Sequence, residues 1–112
     1  MLRVTFSRDS RNRLSSFFAS GHAGFAVHGE DIVCAAVSAI LQAARLGLEA
    51  HLHVTLTQSE MEPGSMRISW PKSARDDARL EAVVTTAELA VEQIARQYPE
   101  HVEFSRETDR GA

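Results

Sequence analysis

Residues 31–47 read DIVCAAVSAILQAARLG, and this stretch predicts the central helix of the protein. Asp31 is a residue type that caps helix starts, and Gly47 is a type that ends helices. Between them, apolar side chains occupy nearly every face of the helix. We therefore expect burial on more than one side, either inside the domain or partly against a second subunit.

Two strands are predicted before this helix. Leu2, Val4 and Phe6 alternate with polar residues, and a second run, residues 13–20, follows a polar turn signal at residues 9–12. This pattern favours an N-terminal hairpin. The glycine-punctuated residues 21–30 show neither a strand nor a helix period, so they are predicted to form a loop.

Three strands and a second helix are predicted after the central helix. The apolar residues of the two next strands alternate as Leu52, Val54 and Leu56, then as Met66, Ile68 and Trp70 after a Pro-Gly turn. Residues 74–97 show the three- and four-residue spacing of an amphipathic helix. A short final strand is expected around residues 102–105, with a loose tail from about residue 107 to 112.

The predicted order is therefore β-β-α-β-β-α-β. This order is typical of an α+β fold in which two helices pack on a largely antiparallel sheet. The 112 residues, 44% of them hydrophobic, suit one domain spanning residues 1–112.

Composition excludes several classes of function. A net charge of −3 and a pI near 5.9 lack the basic footprint of nucleic-acid binding, so direct contact with RNA or DNA is not expected. The N-terminus lacks the apolar segment of a signal peptide, and no run of apolar residues approaches membrane-spanning length. We expect a cytoplasmic protein without a membrane partner.

The chain contains one cysteine, Cys34, three residues after the predicted cap Asp31. In the first turn of a helix, free amides and the helix dipole would favour the nucleophilic thiolate, and the same amides could hold an oxyanion. A lone cysteine in an apolar helix is more often a small buried side chain. Both interpretations remain open at this point.

Other polar residues could assist or compete with Cys34. Ser38 shares a helix face with Asp31 and Cys34, where it either bonds to its own helix or orients a substrate. His22 and His28 are both candidate bases, and periodicity does not choose between them.

His51 and His53 would share one side of a strand, but zinc requires three or four ligands and no third ligand is evident. We expect no metal site and no cofactor.

Together, Gly21-His22-Ala23, Gly29 and the run DIVCAAVS at residues 31–38 resemble the signature of the Prp family, the ribosomal-processing cysteine proteases of bacteria. The resemblance implies that Cys34 is the nucleophile and His22, rather than His28, the base. The supporting positions of the family correspond to Gly21, Asp31 and Ser38. It also implies a homodimer.

The substrate implied by the resemblance is a large-subunit ribosomal protein with a short N-terminal extension, which the protease removes. The sequence does not indicate the preferred cleavage site. The alternative function is a non-catalytic dimeric module for ribosome assembly or interaction with the same fold. A thiol redox sensor is disfavoured because the chain has no second, resolving cysteine.

Overall fold

The computed structural model describes the backbone of residues 1–21 and 28–109, and the side chains of residues 1–21 and 32–109. The elements follow the predicted order and are β1 (Leu2–Asp9), β2 (Leu14–Ser20), α1 (His28–Leu46), β3 (Gln58–Glu62), β4 (Ser65–Ser69), α2 (Ala78–Gln97) and β5 (Val102–Asp109).

The strands form one sheet in the order β3-β4-β2-β1-β5. Only β1 and β5 pair in parallel, and the other neighbours are antiparallel. The fold is therefore α+β with a largely antiparallel sheet, as predicted. The N-terminal hairpin is also confirmed, with Phe6 opposite Phe17 in its register.

One continuous apolar core lies between the sheet and the two helices. The alternation of β1 buries Leu2, Val4 and Phe6, because successive side chains of a strand point to opposite faces. The helices contribute side chains at three- and four-residue spacing, namely Val33, Val37, Leu41, Leu80, Val84 and Val91.

Among the residues whose side chains the structure describes, part of α1 is exposed. Ile32 is 70% exposed and Leu46 is 53% exposed, whereas Val37 and Leu41 are fully buried. α1 contacts α2 and also contributes to the core against the sheet, whereas burial of its exposed side against a second subunit stays a prediction. The stretch Ile32–His51 has the length and mean hydropathy (1.5) of a membrane span, contrary to the expectation from sequence, but its buried side belongs to the domain core.

The start of α1 corrects the prediction for Asp31. The helix begins at His28, so Asp31 lies in its first turn and does not cap it, and residues 28–30 are helical where a loop was predicted. An acidic side chain is favourable both at the cap and within the first turn. The residue type therefore did not distinguish the two positions.

The predicted strand at Leu52, Val54 and Leu56 is wrong. The chain continues from α1 into one π-helical turn, Gly47–His51, and residues 53–56 have no regular structure. The strand lies at Gln58–Glu62 instead. A two-residue turn joins it to β4, and such a turn pairs the residues immediately before it with those immediately after it. His51 and His53 consequently do not share a strand.

The second helix and the last strand also differ in their limits. A short 3₁₀ turn occupies Lys72–Ala74, and α2 starts only at Ala78 because the Asp77 side chain accepts the N–H of Arg79 (2.8 Å). The side-chain hydrogen bond from Arg79 lowers the pKa of Asp77 to about 2. A loose tail was expected from residue 107, but residues 107–109 belong to β5. This strand extends to Asp109 because β1 pairs with it along its whole length.

A buried carboxylate, Asp9, joins the end of β1 to the segment before α2. Its oxygens accept the backbone N–H groups of Arg11 and Arg13 and the guanidinium of Arg75 (2.9 to 3.0 Å). Burial alone would raise the pKa of Asp9, but these hydrogen bonds together hold it well below its ordinary value of 3.8. The ionised form is therefore the one that stabilises the fold.

This depressed pKa predicts how stability depends on pH. The contribution of Asp9 should be complete above pH 3.8 and decline as the pH falls toward the lower folded pKa. Urea unfolding should show Asp9→Asn less stable than wild type at neutral pH, with the difference shrinking below pH 3.8. Asp76→Asn, at the exposed partner of Arg13, is the matched control and should change stability little. A pH-independent difference for Asp9→Asn would contradict this prediction.

Candidate active site

A cavity of about 280 Å³ opens where α1 passes over the ends of β2 and the β3–β4 hairpin. Gly21, Cys34 and Ser38, three of the five candidate residues, line it. The other lining residues come from β1, β2, α1 and the hairpin, and they are Leu2, Ala19, Val37, Leu41, Gln42, Met61, Glu62, Pro63, Gly64, Ser65 and Met66.

Cys34 projects from α1 into this cavity and is half-buried. It is the seventh residue of a helix that begins at His28, so it lies in the second turn rather than in the first. The amides without a helical partner at the start of α1 belong to residues before Asp31. The prediction that first-turn amides surround the Cys34 sulfur is therefore wrong in its geometry.

Ser38 lies one turn after Cys34 on the same wall of the cavity. Its hydroxyl oxygen accepts a hydrogen bond from the side-chain amide of Gln42 at 2.8 Å. The shared face predicted for positions 34 and 38 is thus confirmed. Gln42 was not among the predicted site residues, although its four-residue spacing from Ser38 was visible in the sequence.

Gly21 connects the end of β2 to the hairpin that forms the opposite wall. Its N–H donates to the carbonyl oxygen of Gly64 (2.9 Å), and its φ of +94° lies in the left-handed region. A Cβ atom at this position would lie 2.4 Å from the backbone oxygen of Met1. Only glycine adopts this φ readily and also lacks the Cβ atom that would clash with Met1. This is a physical reason for a glycine at position 21.

His22 and the rest of the predicted loop up to residue 27 lie outside the described residues. The backbone of His28 and Asp31 is part of α1, and their side chains lie outside the description. The assignment of His22 as base and of Asp31 as a supporting residue therefore stays a prediction.

The cavity wall combines apolar side chains with few ionisable groups. Met61 and Met66 of the hairpin line the cavity together with Val37 and Leu41 of α1, and Cys34 and Glu62 are the titratable residues among its lining. Methionine adapts its shape readily to apolar side chains. The arrangement suits a peptide segment with an apolar side chain placed next to the Cys34 thiol.

Within residues 1–21 and 32–109, whose side chains the structure describes, no group of three metal-ligating side chains comes together. The hairpin wall was not predicted as part of the site, since its residues are far from Cys34 in sequence. The Pro63-Gly64 turn was recognised, but its proximity to α1 depends on the strand order.

Comparison with known proteins adds independent information. The family model described as "Cysteine protease Prp" matches residues 1–103. The chain is 28% identical to the ribosomal processing cysteine protease Prp of Bacillus subtilis (strain 168), covering 91% of this chain and 94% of that relative.

Solved structures share the fold of this chain. SMU.848 from Streptococcus mutans is 29% identical, with a TM-score of 0.85 and coverage of 97% of this chain and 96% of its own. The essential ribosomal processing protease Prp from S. aureus, in complex with a covalently linked product peptide, is 18% identical. It has the same fold, with a TM-score of 0.81 and coverage of 95% and 99%. The chain belongs to the Prp family of ribosomal-processing cysteine proteases.

Proposed function

We propose that this protease removes the short N-terminal extension of a large-subunit ribosomal protein, with Cys34 as nucleophile and His22 as general base. The observation that carries the proposal is the position of Cys34, the only cysteine of the chain, in the wall of an apolar cavity large enough to take a side chain of a peptide. The Prp protein of B. subtilis, named as a ribosomal processing protease, supports the class of substrate.

The mechanism follows from the chemistry of a thiol. His22 accepts the thiol proton, the Cys34 sulfur bonds to the scissile carbonyl carbon, and the C–N bond then breaks as His22 returns the proton to the leaving amine. Water, activated by the same histidine, hydrolyses the resulting thioester and restores the enzyme. Covalent attachment of a product peptide to the S. aureus Prp protein supports an intermediate of this kind.

The supporting residues act on this pair. Gly21 holds the chain immediately before His22 against the β3–β4 hairpin, through its hydrogen bond to Gly64. Asp31 lies in the first turn of α1, three residues before Cys34, where its charge complements the helix dipole. Ser38 presents a hydroxyl to the cavity one turn beyond the nucleophile.

The proposal includes a cytoplasmic homodimer. The exposed apolar side chains of α1, Ile32 and Leu46, support a partner surface, because a second copy would remove them from water. Sedimentation velocity of the purified protein should give the mass of two chains. A single 12.3 kDa species at all concentrations would rule out the dimer.

Mass spectrometry of an extended ribosomal protein provides the test of function. Wild type should release one short N-terminal peptide, and Cys34→Ala should release none while retaining the wild-type unfolding midpoint. Cleavage by Cys34→Ala would refute the assignment of the nucleophile. An uncut substrate that co-purifies with both proteins would instead favour the non-catalytic interaction module.

A further inference from the structure

The side chains of Ser38 and Gln42 form a hydrogen-bonded pair in the wall that carries Cys34. The two residues are one helical turn apart on α1, and the Gln42 amide nitrogen lies 2.8 Å from the Ser38 hydroxyl oxygen. Both side chains line the cavity. The pair is therefore part of the site, and the orientation of its hydrogen bond matters for the chemistry.

The amide group of Gln42 donates in this contact, so the Ser38 oxygen is the acceptor. The proton of the Ser38 hydroxyl remains free to be donated elsewhere. A helical serine or threonine usually gives it to the carbonyl four residues earlier, as Thr86 does to Ala82 (2.7 Å). Among residues 1–21 and 28–109, Ser38 makes no such bond, which leaves its proton for a group in the cavity.

We propose that Gln42 is a positioning residue that holds the Ser38 hydroxyl as a hydrogen-bond donor toward the substrate carbonyl at Cys34. The inference rests on the proposed protease function. Side chains one turn apart on a helix have Cβ atoms about 5–6 Å apart, so a carbonyl bonded to the Cys34 sulfur lies within reach of Ser38. Ser38 thereby supplies an oxyanion donor to a nucleophile that lies in the second turn, away from the first-turn amides.

Gln42→Glu is the decisive substitution because it keeps the size of the side chain and reverses the hydrogen bond. A carboxylate only accepts, so Ser38 must give its proton to position 42 instead of the substrate. We expect kcat for cleavage of a peptide spanning the extension junction to fall at least about tenfold, with little change in KM, because the lost interaction forms in the transition state.

The pH dependence provides a second readout. A protonated glutamate can donate as glutamine does, so the ratio of Gln42→Glu activity to wild-type activity should rise as the pH falls. Cys34 and Glu62 are the titratable groups that line the cavity with Gln42 in the described chain, and both are present in the two proteins. Gln93→Glu, at an exposed position of α2, is the matched control and should show wild-type activity at each pH.

A double-mutant cycle tests whether Gln42 acts through Ser38, and it also serves if Gln42→Glu fails to fold. Gln42→Met should lower kcat less than Gln42→Glu does, and it should lower kcat no further once Ser38→Ala is present. Multiplicative effects of the two changes would overturn the proposal. Equal activity of Gln42→Glu and wild type would overturn it as well.

Failure of the proposed function gives a different result. If wild type does not cut the peptide, the same variants are compared by their affinity for a peptide aldehyde, because its adduct with the Cys34 thiol carries the tetrahedral oxygen that Ser38 is proposed to contact. Weaker binding by Gln42→Glu than by Gln42→Met then supports the donor role of Ser38, and equal binding overturns it.

Discussion

The His22→Ala variant is expected to cleave the extended ribosomal protein at least about a hundredfold more slowly than wild type, because general acid–base catalysis by a positioned side chain contributes about this much or more. The variant lacks the group that accepts the Cys34 proton and later protonates the leaving amine. Initial rates should be measured over a range of pH, where the variant should lose the rise in activity that deprotonation of a histidine produces.

His28→Ala is the matched control for this prediction. His28 is the other histidine in the segment before Cys34, and the resemblance of residues 21–38 to the Prp signature selects His22 over it. We expect His28→Ala to retain most of the wild-type activity. Loss of activity in His28→Ala with an active His22→Ala would reverse the assignment of the base.

The Gly21→Ala variant should lose both stability and activity. The left-handed backbone conformation alone costs an alanine about 2 kcal/mol. In addition, the new Cβ atom would lie 2.4 Å from the Met1 carbonyl oxygen, so the start of β1 must move. That movement strains the bond from the Leu2 N–H to the His101 carbonyl oxygen (3.0 Å) and displaces the residue that follows, His22.

Urea unfolding and initial cleavage rates of folded protein should be compared with those of Gly47→Ala. At Gly47 a Cβ atom would meet only a side-chain carbon of Val83, at 3.3 Å, so this control should remain close to wild type. Equal unfolding midpoints for Gly21→Ala and wild type would show that the close approach to Met1 does not constrain the chain.

Patterns with a strong local period were sufficient to predict much of the fold. The alternation of Leu2, Val4 and Phe6 indicated β1, and the apolar spacing of residues 74–97 indicated α2, because a half-buried strand or helix must repeat with its own geometry. The strand at Gln58–Glu62 was missed, since its side chains are mostly exposed and carry no apolar alternation. Its position follows from hydrogen bonding to β4, which local composition does not encode.

For the site, the sequence by itself determined the chemistry that is available: a single thiol, a histidine between small residues, and a serine one turn from the thiol. The signature at residues 21–38 also indicated the family. The tertiary structure alone decided that α1 begins at His28, that the β3–β4 hairpin closes the cavity opposite Cys34, and that Gln42 binds Ser38. The position of the hairpin depends on a distance between remote segments, which arises only when the sheet order and the packing of α1 bring them together. The start of α1 and the hydrogen bond of Ser38 depend on backbone and side-chain conformations that residue types alone do not fix.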